Sequence, residues 1–302
     1  MSEVIGSQQP LKTREALEKP RSRRGPASAK DGAVWNVVAH LILGVGSLIM
    51  VFPFIWQLIM SVSTTGEITS VPPQLIPSQL HFENYPAVFD KMPFLQQLWV
   101  TVATTLARVG GQLLFCSMAG YAFARMRFPG RNALFAVFLS VLMVPGQIYL
   151  IPQFEIIQKL GLLNTIAGIS LPGLFIAFGT FLFRQHFISM PAELEEAARL
   201  DGANPWQIFI RVMLPLSGPA ASALVIITTL GSWNDLLWPL VIASTEQKMP
   251  LSVGLASFSG QYATDYPMQM AAATMAMAPI FILFLTMQRR FVKGLASSGV
   301  KG

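Results

Sequence analysis

The sequence predicts an all-α polytopic membrane protein with six transmembrane helices, and three observations carry the prediction. Of its 302 residues, 53% are hydrophobic and only 12% charged, about half the roughly 25% charged share of an ordinary soluble domain. So much apolar surface cannot all be interior to one water-soluble core, and lipid must cover part of it. Six stretches nearly free of charge, at residues 34–61, 98–124, 133–154, 165–183, 212–233 and 268–288, supply the roughly 20 residues that a membrane helix needs. The net charge of +6 is spread between these stretches rather than along one face, so it reads as a topology signal and not as a nucleic-acid surface.

Taken in order, residues 1–33 form a basic tail rich in Pro, Ser and Ala, expected to be disordered. The first helix, 34–61, is longer than the roughly 7–15-residue core of a signal peptide, and the small-residue run Ala27-Ser28-Ala29 precedes it rather than follows it. Arg23-Arg24 is followed by Gly25-Pro26, which is not the apolar sequel of a twin-arginine signal. The 34–61 helix therefore reads as a retained span. Residues 96–288 hold the other five helices, and 289–302 form a second basic tail. An even number of spans puts both termini on one side. The tails and the second and fourth connections carry 17 Lys/Arg, whereas the other three connections carry only Lys91, Lys159 and Lys248. The positive-inside rule then places both termini in the cytoplasm of a multi-pass protein of the cell membrane.

The connection at about 62–97 carries Pro72, Pro73, Pro77, Pro86 and Pro93, too many breakers for a long helix, and is expected to be extended with a short helical turn near residues 85–89. The last outer connection, about 239–267, contains Ser257-Phe258-Ser259-Gly260-Gln261-Tyr262. This run suits either a polar partner or plain solvent.

The connection between the fourth and fifth spans, 190–215, is different. Glu193, Glu195 and Glu196 put negative charge near a helix N-terminus, Pro191 suits its start, and Gly202 suits the left-handed position just past its end. Asn204, Pro205 and Gln207 then read as N-cap, first turn and capping-box partner of a second helix. The result is two helices meeting at an elbow. Ala197 and Ala198 present little bulk there while Leu194 and Leu200 offer apolar knobs, which fits close approach by another protein or a purely structural corner.

Single residues narrow the chemistry. Cys116 is the only cysteine, and His40, His81 and His186 are scattered, which leaves no disulfide within the chain and no metal cluster. Arg108 is the one charge in the middle of a span. At about 2.5 kcal/mol or more in mid-bilayer it must face protein or water, as a path residue or as a link between helices. Trp233, Asn234, Asp235 and Trp238 join aromatic faces to polar groups at the end of the fifth span, a composition for sugar stacking or for a membrane interface.

The elbow residues Glu196-Ala197-Ala198, Asp201-Gly202-Ala203, Phe209 and Leu214-Pro215 resemble the EAA loop of binding-protein-dependent ABC import permeases. The resemblance continues in Pro77, Phe82, Asn84 and Tyr85, in the run from Tyr121 to Arg125 with Phe128-Pro129-Gly130, in Trp233-Asn234-Asp235, and in the ending from Gln288 to Gly302. It points to the carbohydrate branch, similar to the second permease of maltose transporters and to glycerol-3-phosphate import permeases. It implies the type I ABC importer permease fold and several partners: a second, different six-span permease, two cytoplasmic ATP-binding subunits and an extracytoplasmic solute-binding protein. On this resemblance, Glu196, Ala197, Ala198, Asp201 and Gly202 couple to the ATPase, and Ser257, Phe258, Gln261 and Tyr262 touch the binding protein; Arg108, Trp233, Asn234, Asp235 and Trp238 are substrate-path candidates on their own chemistry. The C-terminal tail would reach the ATPase dimer.

ATP and Mg are expected in the partner alone, because no Gly-Lys-Ser/Thr occurs in the chain, and no cofactor is expected on the chain itself. A self-sufficient secondary transporter would show inverted repeats and deep ionisable sites, and an intramembrane enzyme would show a nucleophile or acid/base pair within the spans. Only Arg108 is a deep charge, so the secondary transporter stands as the alternative of another class, and no catalytic set is visible within the spans.

Overall fold

The computed structural model describes residues 29–72, 74–258 and 265–299, with side chains for 35–72, 74–258 and 265–286. Of the tail expected to be disordered, 1–33, residues 1–28 lie outside them and residues 29–33 are helical instead. Among the described residues the chain is helical and has no strand. It divides into two compact units, residues 1–54 and 55–302.

In the first unit, α1 (Ala29–Ser61) starts ahead of the predicted residue 34. Charge at Lys30 and Asp31 ends the apolar run, but no proline follows Pro26 to stop backbone hydrogen bonding from reaching Ala29. Its apolar stretch Trp35–Ser61 has 27 residues, about 40 Å of helix, more than the roughly 30 Å hydrocarbon layer. None of the side chains from Trp35 to Phe54 is buried, so lipid or another subunit must cover them.

The second unit opens with α2 (Thr65–Thr69) and α3 (Asn84–Lys91), the short turn expected in the proline-rich connection. Thr64 and Glu67 form a reciprocal capping box on α2, and the Glu67 carboxylate also accepts from Ser78 Oγ at 2.5 Å and Ser78 N at 2.8 Å. These donors, the Ser78 hydroxyl first, hold the Glu67 carboxyl at about 2, well below its ordinary 4.5.

Helix α4 (Phe94–Arg125) is the axis of this unit and contributes to three cores. Phe94 packs with Val88, Leu251 and Ala272, Val100 with Ile169 and Trp238, and Cys116 and Tyr121 with Phe183, Phe209 and Leu224. Its neighbour α8 (Ala177–Ser189) lies very close. A Cβ built on Gly120 would fall 2.6 Å from Phe183 Cβ, and one on Gly179 would fall 2.9 Å from the Cys116 sulfur. Small residues admit this approach where lipid supplies no hydrophobic drive between helices.

Three of the predicted spans are bent rather than straight. Helix α5 (Arg131–Ser140) with Val141–Met143 turns by 95° into Gly146–Tyr149 and α6 (Leu150–Lys159). Helix α7 (Ile166–Ser170) with Leu171–Gly173 meets α8 at 47°. After α9 (Glu193–Leu200) and α10 (Pro205–Ile208), the π-helical Phe209–Met213 and α11 (Leu214–Leu216) meet α12 (Gly218–Trp233) at 73°. Pro145, Pro172 and Pro219 lie at or beside these breaks, each removing a backbone donor and crowding the preceding turn. The described residues thus hold three unbroken helices long and apolar enough to cross a membrane, or up to six spans if each bent pair is one. Helices α13 (Leu237–Ile242) and α14 (Leu251–Ala256) precede α15 (Tyr266–Gly299), whose backbone stays helical well past the predicted end at 288. Arg289 and Arg290 mark the end of apolarity there, not the end of the helix.

Candidate functional site

The elbow forms as its local signals require. Past α9, Ala203 N donates to Ala198 O at 3.0 Å and Gly202 N to Arg199 O at 3.0 Å, with Gly202 at φ +83°. These two bonds close a Schellman motif, whose left-handed residue favours glycine. Asn204 Oδ1 accepts from Gln207 N and Gln207 Oε1 from Asn204 N, both at 2.9 Å, so the second helix starts on a complete capping box with Pro205 in its first turn. Pro191 falls two residues before α9 rather than at its first position, since the first helical turn is closed by Ala192 O.

The two faces of α9 have different neighbours. Glu193, Glu196, Ala197 and Leu200 share the outer face, with Leu200 90% exposed, and Asp201 and Gly202 are exposed just beyond. Ala198 instead turns inward against the Tyr121 and Phe209 core, so it does not lie beside Ala197 on one open surface. Glu195, also inward, is only 4% exposed. Its Oε1 lies 3.2 Å from Arg125 Nε, close enough for ion pairing though not aligned as a hydrogen bond, and its Oε2 accepts from Arg199 Nη2 at 3.0 Å. Arg125 Nη2 donates to Phe187 O at 2.7 Å and Met190 O at 2.6 Å. One guanidinium therefore ties the ends of α4 and α8 to α9. Sequence reasoning counted Arg125 as a topology charge and as the end of the run from Tyr121, and gave it no part in the elbow.

Deeper in the unit a polar seam runs between α4 and α12. Thr105 Oγ1 donates to Ser232 Oγ at 3.2 Å, Thr228 Oγ1 donates to Gln112 Oε1, and Gln112 Nε2 donates to Gly173 O at 2.8 Å. Arg108 is the hub. Its Nη1 donates to Asp235 Oδ2 and its Nη2 to Ile169 O, both at 2.8 Å, while Nε is buried without a hydrogen-bond partner among the described residues. The guanidinium thus meets the requirement for a partner that a deep charge imposes, and it joins α4 to α7 and to the segment after α12. Neither Gln112 nor Thr228 was singled out from the sequence. Both lie at helical spacing from Arg108 or Ser232, and that spacing is the signal that could have found them.

The aromatic residues separate. Trp238 is buried, with its indole donating to Gly168 O at 3.2 Å and its ring packed in a core with Val100 and Ile169. Trp233 is partly buried and donates to Ala276 O at 3.2 Å. Asn234 is exposed and caps its own helix through Leu230 O at 2.9 Å. Ser257 is exposed and Phe258 partly buried. Gln261 and Tyr262 lie outside the described residues.

An all-helical membrane unit whose spans end in an exposed, firmly braced elbow is the layout of a transport-system membrane subunit. Residues 113–297 match the family described as "Binding-protein-dependent transport system inner membrane component", and the chain belongs to it. It is 36% identical over 263 residues, 85% of this chain and 93% of the relative, to the arabinooligosaccharides transport system permease protein AraQ of Halalkalibacterium halodurans. It is 32% identical over 274 residues, 88% of this chain and 97% of the relative, to the sn-glycerol-3-phosphate transport system permease protein UgpE of Brucella suis. Among solved structures it is similar to a bacterial ABC transporter involved in the import of the acidic polysaccharide alginate, with TM-score 0.75 and 27% identity, covering 88% of this chain and 99% of that one.

Proposed function

We propose that this chain is a permease subunit of an ATP-driven, binding-protein-dependent importer that moves a carbohydrate or polyol across the cell membrane by alternating access. The observation that carries the proposal is the elbow: its outer face is free for a partner while its inner face is bonded to α4 and α8, so a push on α9 reaches the spans. Glu196, Ala197, Asp201 and Gly202 offer that face to an ATPase, and Ala198 braces it from within. The partners would be a second, different six-span permease, two cytoplasmic subunits that bind ATP and Mg, and an external solute-binding protein. The excess of Lys/Arg at one end of the spans supports a cytoplasmic position for both termini and the elbow. Ser257 and Phe258, with Gln261 and Tyr262, would meet the binding protein. Asn234 and the Arg108–Asp235 pair would flank the path, with Trp233 behind them.

The names of the relatives favour an oligosaccharide, and UgpE supports sn-glycerol 3-phosphate as a second reading. Uptake into liposomes holding the assembled complex separates them, with each solute offered on its own binding protein. Uptake should need ATP inside and binding protein outside. Uptake by the chain alone, driven by an ion gradient, would sink the proposal in favour of a secondary transporter.

A further inference from the structure

Away from the elbow and the seam, the second unit has two cavities joined by a row of aromatic rings. The first, about 480 Å³, is lined by Arg127, Phe128, Gly130, Arg131, Asn132 and Ala133. The second, about 540 Å³, is lined by Phe115, Met118, Ala119, Leu171, Leu174 and Phe175 and has no polar side chain. Between them, Phe128 lies 6.1 Å from Phe123, Phe123 lies 6.3 Å from Phe138, and Phe138 lies 5.2 Å from Phe175, measured between ring centres. The last two pairs are stacked. The row therefore runs unbroken from the basic cavity to the apolar one.

The basic end lacks counter-charge. Arg184 stands 4.2 Å over the Phe135 ring, one helical turn along α5 from Arg131, so three guanidinium groups gather around the first turn of α5. Among the described residues no carboxylate lies within ion-pairing distance of Arg127, Arg131 or Arg184. Among the described residues, the Arg131 side chain donates only to Met126 O at 3.0 Å, that of Arg184 only to Phe123 O at 3.3 Å, and that of Arg127 to none. Cations gathered without an anion repel one another, and a bound anion relieves that repulsion.

The depths of the two ends differ in the same sense. Arg127 lies two residues past Arg125, the last residue of α4, where the span leaves the membrane, whereas Met118 lies seven residues before Arg125, about 10 Å deeper along the helix. A charged site at the membrane surface thus leads along aromatic rings to an apolar cavity inside the bilayer. A free phosphate would use only the first half of this arrangement. An amphiphile with an anionic head uses all of it.

We propose that this face binds an anionic phospholipid, with its phosphate between Arg127 and Arg131 and an acyl chain laid along Phe123, Phe138 and Phe175 into the apolar cavity. The test uses the complete transporter in nanodiscs and a phosphatidylglycerol analogue with a photoreactive acyl chain, with labelled peptides mapped after irradiation. Label is expected within residues 115–119 or 171–175, displaced by unlabelled phosphatidylglycerol but not by phosphatidylcholine or inorganic phosphate. An arginine facing an anionic lipid surface contributes about fivefold in affinity. Arg127→Gln, which breaks no hydrogen bond, should therefore weaken retention about fivefold, and Arg127→Gln with Arg131→Gln about 25-fold. Equal displacement by phosphatidylcholine, displacement by phosphate, no label at these residues because another subunit covers them, or retention unchanged in Arg127→Gln would each overturn the proposal.

Discussion

Glu195→Ala tests whether the two faces of α9 have separate tasks. Removing a partner from a fully buried ion pair costs about 3–5 kcal/mol. Three features lower the figure for this site. The Arg125 side chain keeps 16% exposure, it retains charge-assisted bonds to Phe187 O and Met190 O, and Arg199 at 58% exposure simply turns to solvent. The expected loss is then about 1–3 kcal/mol, or roughly 4–8 °C in melting temperature at its midpoint for a unit of this size. Glu196→Ala alters only the outer face, where an exposed carboxylate contributes about 0–1 kcal/mol, so melting should stay put while substrate-stimulated ATP hydrolysis falls. Thermal unfolding and stimulated ATPase, measured on both variants of the assembled transporter, decide the matter. Glu195→Gln, which keeps shape and one acceptor, should lie between wild type and Glu195→Ala. If Glu196→Ala melted lower than Glu195→Ala, the assignment of inner and outer faces would be wrong.

Three further outcomes follow from the same geometry. Gly202→Val forces a β-branched residue into a left-handed backbone costing roughly 1–3 kcal/mol. No atom lies within 4 Å of the added Cβ, so Gly202→Asn should keep most coupling where valine loses it, and normal coupled ATP hydrolysis in Gly202→Val would remove the elbow from the mechanism. Arg108→Gln breaks the link to Asp235 while the amide can still reach one acceptor, so complex yield and thermal stability should fall before uptake does; a stable variant with lost uptake would instead make Arg108 a path residue. The Glu67 carboxyl is held at about 2 against an ordinary 4.5, so its contribution to the α2 region is complete above about 4.5 and lost as pH falls toward 2. Hydrogen exchange at the Ser78 amide, corrected for intrinsic rate, should accelerate across that window, and constant protection would exclude the role given to Glu67.

What could be read from the sequence was what neighbours in the chain decide. Gly202, Asn204, Pro205 and Gln207 each act within one turn, and the elbow folds as their types require. The run of apolar residues at 133–154 correctly signals material for the bilayer, but Pro145 bends it by 95°. Lipid rewards apolar composition whether the helix is straight or broken, and membrane helices tolerate proline where neighbours satisfy the freed carbonyls. Apolarity therefore located the spans without giving their shape. The partners of Arg108 were out of reach for another reason: Asp235 is 127 positions away and Ile169 is 61, and no local pattern announces such a pairing.

The adjacent carboxylates Glu195 and Glu196 show where composition misleads and why that matters for function. An isolated amphipathic helix would be expected to bury Leu200 and expose both glutamates. In this chain Leu200 is 90% exposed while Glu195 is 4% exposed. The inversion has a physical cause, because Arg125 already spends two donors on the end of α8 and needs an anion beside it, and only the α9 face bearing Glu195 can supply one. Once that face is turned inward, the helical repeat forces Glu193, Glu196, Ala197 and Leu200 outward together. An exposed leucine beside a small alanine and two carboxylates has no use in water, but it is a usable surface for a basic and apolar cleft on a partner. The brace that the sequence concealed is thus what turns outward the face proposed for docking, and loss of Arg125 should misdirect that face without touching any of its residues.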